Sequence, residues 1–194
     1  MEFTGDFELD GVSPEDAWIV LSDPVAVSKA LKGCRYITEE DESFNFDEFE
    51  PDEDVETLPD ADPDVVAERV FEAGKTYAAL VQIGVGSVKP RFETHVTIDE
   101  REFPRMVASG SGSASSSTFS MTSGMDISET DTGSKVDWWV ETDVSGRIAQ
   151  MGSRVLNPVA NKVVSDFFNN IQSQMSAVDD EAASSVTDRL RNLI

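Results

Sequence analysis

Apolar or small side chains alternate with polar ones in several runs along the chain, which is the period of a β-strand with one buried face. In the first run, over residues 2–9, Phe3, Gly5, Phe7 and Leu9 share one face. Five further runs follow later in the chain, over residues 76–88, 92–100, 105–114, 117–128 and 134–144. Glycines and prolines separate these runs as hairpin turns would, so the pattern predicts an antiparallel meander.

Two short helices and one long helix are predicted beside the strands. Ser13-Pro14 and Asp23-Pro24 each place a capping side chain before a proline, and this pairing favours a helix start. A short strand is expected around Arg35–Thr38. From Gly146 onward apolar residues recur at helical spacing, and Pro158 predicts a kink in that helix. This order of elements predicts an α+β fold in which a curved antiparallel sheet wraps around a long C-terminal helix.

Residues 109–118, SGSGSASSST, have the parity of the strands on either side of them. We interpret this segment as strand with very small side chains, and such a strand opposite a long helix is expected to leave a cavity. An ordinary core, in which the helix approaches the sheet closely at the glycines, is the alternative. The predicted cavity lining consists of inward strand residues, one tryptophan of the first helix and the apolar stripe of the last helix: Trp18, Tyr77, Val81, Ile83, Phe92, Val96, Met106, Gly110, Gly112, Phe119, Met121, Met125, Trp138, Met151, Val155, Val159, Val163 and Phe167.

The charge is distributed unevenly along the chain. The formal net charge is −23, and residues 39–64, here called the acidic insertion, contain 14 acidic residues and no Lys or Arg. Such a segment repels itself, which predicts a solvated, mobile loop. The alternatives are an interaction loop with Phe44, Phe46 and Phe49 as anchors, or a loose cation site. We therefore expect a domain over residues 1–175 that carries this insertion, and a polar tail over 176–194. The tail ends in a short amphipathic segment, for which we expect at most peripheral contact with a membrane.

Composition also excludes several kinds of function. An acidic surface repels nucleic acid, and an excess of acids over bases is typical of adaptation to a salty, halophilic cytoplasm. The single cysteine, Cys34, excludes an internal disulfide and a thiolate-rich metal site. The single histidine, His95, lies on the outward face of its strand, and there is neither a phosphate-binding loop nor a nucleophile elbow. We predict no catalytic residue, metal or cofactor. Because no apolar run could span a bilayer and no signal peptide begins the chain, we expect a cytoplasmic protein.

Several phrases resemble the CoxG-like family, which is named for the G subunit of carbon monoxide dehydrogenase and belongs to the START-like, SRPBCC superfamily. The resemblance covers about residues 1–38 and 67–175. It rests on Phe3-x-Gly5-x-Phe7, Ala17-Trp18 with Leu21 before Asp23-Pro24, Gly33-Cys34, Tyr77, the run from Ile83 to Val88, Gly110-x-Gly112, the phrase from Gly146 to Arg154, and Phe167-Phe168. The sequence departs from the family in the acidic insertion and at Lys32, where the family usually has proline before Gly-Cys.

This resemblance implies a helix-grip fold around a hydrophobic tunnel and no catalytic residues. It implies an accessory protein that binds an apolar small molecule, a lipid or a quinone, and serves a molybdenum hydroxylase of the carbon monoxide dehydrogenase type, at the inner membrane face if it meets a membrane. The alternative is an assembly or membrane-recruitment adaptor for that enzyme with no ligand role. An enzyme would need ionisable groups inside the pocket, and of the inward strand residues only Tyr77 offers one.

Overall fold

The computed structural model describes residues 1–52, 54–58, 60–84, 89–114 and 116–176, without the side chains of Pro63 and Ser176. Within these residues seven antiparallel strands form one curved sheet in the order β1-β7-β6-β5-β4-β3-β2. The strands are β1 Glu2–Asp10, β2 Cys34–Glu39, β3 Thr76–Gln82, β4 Arg91–Glu102, β5 Arg105–Ala114, β6 Ser117–Glu129 and β7 Gly133–Gly146. Together with a long C-terminal helix they confirm the predicted α+β helix-grip fold.

The helices begin where capping chemistry favours them. They are α1 Pro14–Ser22, α2 Pro24–Ala30, α3 Pro63–Arg69 and α4 Ser153–Ser176. The Ser13 hydroxyl accepts a hydrogen bond from the Asp16 amide at 3.2 Å, and the Asp23 carboxylate accepts one from the Val25 amide at 2.9 Å. Both predicted helix starts are therefore confirmed, and each cap satisfies one of the unpaired amides of its first turn.

Three boundaries differ from the prediction. Helix α3 lies at the end of the acidic insertion, where only a loop was expected. Strand β3 ends at Gln82, and residues 85–88 of the predicted strand lie outside the described residues. The last helix begins at Ser153 instead of after Gly146, because Gly152 has a φ of +72° and this left-handed conformation separates α4 from a short 3-10 turn, Ala149–Met151.

The core lies between one face of the sheet, the pair α1–α2 and the second half of α4. Phe168 and Ile171 of α4 are buried, and the Phe168 ring stacks on Phe7 with 5.1 Å between centroids. Asn170 donates a hydrogen bond to the Ala30 carbonyl at 2.8 Å, which fixes this half of α4 to α2. The first half of α4 is more open, and most of its residues from 153 to 162 are exposed.

An apolar cavity as the candidate functional site

A cavity of about 510 Å³ lies between the sheet and the first half of α4. Strands β2 to β7 supply most of its wall, α2 closes one side, and Ile148 and Val163 contribute from the C-terminal region. As far as the described residues form it, its lining is almost wholly apolar and contains no Asp, Glu, His, Lys or Arg. The lining residues are Val27, Leu31, Ile37, Phe71, Tyr77, Ala79, Val81, Ile83, Phe92, Thr94, Val96, Ile98, Met106, Ala108, Ala114, Ser117, Thr118, Phe119, Met121, Thr142, Val144, Ile148 and Val163.

Tyr77 carries the one phenol of this lining. Its hydroxyl oxygen accepts a hydrogen bond from the Glu72 amide at 2.9 Å, and its ring meets Phe71 edge to face with centroids 4.9 Å apart. Burial raises the pKa of Tyr77, so the phenol is neutral at physiological pH. Tyr77 therefore contributes its apolar ring to the wall, and its hydroxyl oxygen is engaged by the Glu72 amide.

The structure places about half of the predicted lining residues on the cavity wall. These are Tyr77, Val81, Ile83, Phe92, Val96, Met106, Phe119, Met121 and Val163. Ala79, Ile98, Ala108 and Val144 also line it, and they share the inward parity of their strands, which was the signal that could have found them. Phe71 lies between α3 and β3 in an irregular segment, where no periodicity marks it.

Gly110 and Gly112 are not on the cavity wall, because larger side chains of β6 cover them. In the sheet Gly110 pairs with Met121 and Gly112 with Phe119. A Cβ atom at Gly112 would lie 2.8 Å from Cζ of Phe119, and one at Gly110 would lie 3.1 Å from Cε of Met121. The missing side chains therefore let Phe119 and Met121 lie across β5, and these two residues form the wall.

The remaining predicted residues lie elsewhere. Trp18 is 1% exposed in the core beneath α1, where Arg101 lies 5.3 Å over its ring. Met125, Trp138 and Phe167 pack at the edge of the same core. The other three belong to the C-terminal region away from the wall: Met151 lines an adjoining pocket, Val155 is exposed and Val159 is half-buried.

The two residues with the most reactive side chains do not form a site. Cys34 is half-buried, and burial raises the pKa of its thiol to about 12, so it is not a thiolate at neutral pH. His95 is exposed on the outer face, as predicted, with Nδ1 2.7 Å from a carboxylate oxygen of Glu40. Among the described residues no three His, Cys, Asp or Glu side chains come together as a metal site would require.

The acidic insertion is fastened to the outer face of the sheet by its aromatic residues. The Phe49 ring lies 4.6 Å from that of Tyr36, and the Phe46 ring lies 5.2 Å from that of His95. Arg91 donates a hydrogen bond to the Phe46 carbonyl at 3.2 Å and forms an ion pair with Asp47. Most of the described carboxylates of the insertion are exposed, so its apolar side faces the protein and its charge faces water.

A curved sheet that encloses an apolar cavity with a long C-terminal helix defines a START-like, helix-grip protein. Similar folds occur in a conserved protein from Geobacillus kaustophilus (TM-score 0.67, 22% identity, 91% of this chain and 96% of that one) and in a protein from Thermus thermophilus (TM-score 0.58, 9% identity, 92% and 100%). A hypothetical protein from Helicobacter pylori is also similar (TM-score 0.54, 10% identity, 89% and 86%). No curated protein matches the chain.

The particular family is identified by sequence. The pattern of the CoxG family, the G subunit of carbon monoxide dehydrogenase, matches residues 65–176, more than half of the chain, so the chain belongs to this family. The resemblance inferred from short phrases is thereby confirmed. Among the described residues, no helix is long and apolar enough to cross a membrane.

Proposed function

We propose that this protein is a non-enzymatic accessory protein that binds a hydrophobic ligand, a lipid or a quinone-like molecule, in the cavity. In keeping with its family, it serves a molybdenum hydroxylase of the carbon monoxide dehydrogenase type. The observation that carries the proposal is the continuous apolar lining of a 510 Å³ space beneath α4. Ligand pockets commonly have volumes of about 300–1,000 Å³. Because of the hydrophobic effect, an apolar ligand that replaces water in such a pocket binds favourably.

The energy available for such binding comes from apolar burial. A ligand that buries about 200 Å² of apolar surface gains about 5 kcal/mol before the cost of association. The wall carries no charged group and few hydroxyls that could select a polar pattern. We therefore expect the inner part of the cavity to recognise apolar shape and volume.

Two further observations support a role without catalysis. General acid–base chemistry needs ionisable groups within hydrogen-bond reach of the substrate, and the cavity wall offers only the neutral phenol of Tyr77. The Cys34 thiol is held in its neutral form and does not line the cavity. The chain's own residues would bind and shield the ligand, and the chemistry would belong to the partner enzyme.

The test is to purify the protein gently, extract it with organic solvent, and identify bound apolar molecules by native mass spectrometry. Ala108→Phe, a change on the cavity wall, should reduce the bound fraction at least about tenfold because the ring occupies the ligand's space. Ser113→Phe is the matched control, since Ser113 is exposed on the same strand. If the folded wild-type protein neither carries nor takes up any apolar molecule, the proposal is wrong.

An adaptor is the second candidate, and the fastening of the acidic insertion favours it. A segment held to the sheet through Phe46 and Phe49 can present its outward carboxylates in a fixed arrangement. The triple variant Glu48→Ser, Glu50→Gln and Asp52→Asn keeps the aromatic anchors and removes three negative charges. Loss of enzyme binding with ligand binding retained would favour the adaptor; unchanged enzyme binding would count against it.

The boundaries of the ligand-binding part are also a proposal. We propose that residues 1–175 bind the ligand and that the tail 176–194, most of which lies outside the described residues, makes at most peripheral contact with the inner membrane face. Flotation with liposomes should be nearly the same for the full chain and for a chain ending at residue 177. Strong flotation at high salt that depends on the tail would make the tail an anchor instead.

A further inference from the structure

A second pocket, here called the vestibule, adjoins the cavity at the turn between β5 and β6. It has a volume of about 380 Å³. Ala114, Ser117 and Ile148 line both spaces, so the vestibule lies directly beside the apolar cavity, and its lining is more polar. Its other lining residues are Lys89, Pro90, Ser116, Arg147, Gln150 and Met151.

The vestibule differs from the rest of the molecule in its charge. The chain has 38 acidic and 15 basic residues, yet the vestibule lining holds two bases, Lys89 and Arg147, and no carboxylate. Both bases are exposed, and neither forms an ion pair with a carboxylate of the described residues. Of the eleven other Lys and Arg side chains in the described part, six have such a partner, for example Arg69 with Asp23.

The vestibule also contains hydroxyl and amide groups. The Ser117 hydroxyl is already engaged, since it accepts a hydrogen bond from the Ile148 amide at 2.9 Å and fixes the entry to the 3-10 turn. Ser116 and Gln150 are exposed, and their side chains make no hydrogen bond to another described residue. Two cations, a hydroxyl and an amide thus surround one small space next to an apolar one.

We infer that the ligand is an acidic amphiphile, with its apolar body in the cavity and an anionic head, a carboxylate or a phosphate, in the vestibule between Lys89 and Arg147. The inference rests on the proposed function for the apolar half. Charge-assisted hydrogen bonds from ammonium and guanidinium groups are stronger than neutral ones, and Arg can grip either head in a bidentate way. A neutral head would leave both cations unused.

A flat anionic membrane is the less favoured source of negative charge. Each basic side chain near a bilayer contributes little, and the strong negative charge of the whole molecule opposes its approach to an anionic surface. A single head group inside the vestibule would lie beside the two bases, and none of the described lining residues carries a carboxylate. The concave position of the bases, continuous with the apolar wall, favours an individual ligand.

The test compares an acid with its neutral ester. N-phenyl-1-naphthylamine, a neutral apolar fluorophore, reports occupation of the cavity, and dodecanoic acid and methyl dodecanoate are titrated against it at pH 8. We expect the acid to displace the probe at about tenfold lower concentration than the ester, since each exposed ion pair supplies up to about fivefold. Lys89→Gln with Arg147→Gln should abolish that difference and leave displacement by the ester unchanged. Lys75→Gln with Lys135→Gln is the matched control, because it also removes two positive charges and neither residue lines the vestibule or the cavity.

The outcomes separate this inference from the proposed function. If probe and ester bind but the acid has no advantage, or if the double variant keeps the advantage, the anionic head is wrong and the apolar carrier stands. If neither probe, acid nor ester binds the folded protein, the proposed function itself fails. If the double variant loses only its binding to anionic vesicles while the acid-to-ester ratio is unchanged, the two bases serve membrane contact and the inference is overturned.

Discussion

Adding one methyl group at Gly112 is expected to destabilise the protein much more than the same change at Gly110. A Cβ at Gly112 would lie 2.3 Å from the Glu93 carbonyl oxygen and 2.8 Å from the Phe119 ring. At Gly110 the nearest atoms would be the His95 carbonyl oxygen at 3.0 Å and the end of the Met121 side chain at 3.1 Å. The contact of a Gly112 Cβ with the Glu93 carbonyl oxygen is closer than proteins allow, and it involves the backbone. The contacts at Gly110 are tight, but one of them is with the flexible end of the Met121 side chain.

The magnitudes follow from two opposing terms. Overpacking a core site costs about 1–3 kcal/mol, and the upper part of that range applies at Gly112 because the backbone of β4 must move. Replacing glycine by alanine recovers about 0.4–1 kcal/mol by restricting the unfolded chain. We expect Gly112→Ala to lower the free energy of unfolding by about 2 kcal/mol and Gly110→Ala to change it by less than about 0.5 kcal/mol.

Thermal denaturation followed by circular dichroism measures the difference, in one buffer at one salt concentration. A loss of about 2 kcal/mol lowers the melting temperature of a chain of this size by about 4–8 °C. Gly112→Ala should also weaken binding of N-phenyl-1-naphthylamine, because the displaced Phe119 ring would enter the cavity that it lines. Equal melting temperatures for the two variants would refute the explanation that these glycines exist to accommodate the side chains of β6.

Three further predictions test other parts of the structure. Arg69→Met leaves the Asp23 carboxylate, which is 1% exposed, without its bidentate partner, so urea denaturation should show that the free energy of unfolding falls by about 3–5 kcal/mol. Arg91→Met is the control, because it breaks only exposed ion pairs and should lower the free energy of unfolding by less than about 1 kcal/mol. Equal losses for the two variants would contradict the reasoning. Burial raises the pKa of the Cys34 thiol to about 12, so at pH 8 the native thiol should react with iodoacetamide at least about tenfold more slowly than the thiol of the unfolded protein. Equal reaction rates would contradict burial as the cause. Phe46→Ala removes the ring that contacts His95, so limited proteolysis should cut the acidic insertion faster while cuts elsewhere are unchanged.

The strands and the first two helices could be predicted because their signals are local. Alternation marks a strand with one buried face wherever it lies, and Ser13 and Asp23 cap their helices through amides two or three residues away. Helix α3 carries the same signal, since Asp62 accepts a hydrogen bond from the Asp64 amide and Pro63 follows it. The acidity of the surrounding segment favours a loop and conceals this cap, so the helix was not predicted.

The cavity wall was harder to predict because it depends on partners in other strands. Parity shows that Gly112 and Phe119 lie on one face, but only the register of β5 with β6 shows that they are directly opposite. When a glycine lies opposite a phenylalanine, the phenylalanine ring fills the space that the glycine leaves. When it lies opposite a small residue, that space stays empty. The prediction that Gly110 and Gly112 themselves line the cavity failed at this step, because the Phe119 and Met121 side chains cover them and form the wall there.

The apolar stripe of α4 shows the same limit of prediction from sequence. The period of the stripe is continuous from Val155 to Ile171, and a continuous stripe predicts a helix that is packed along its whole length. In the structure the buried residues of α4, Phe168 and Ile171, lie in its second half, which contacts α2 and β1, whereas most residues from 153 to 162 are exposed. Val163 lies on the cavity wall, and Val155, two turns earlier, is exposed. Apolar residues that helical spacing assigns to a core are thus exposed or half-buried here, and an apolar ligand that extends past Val163 would cover part of that stripe.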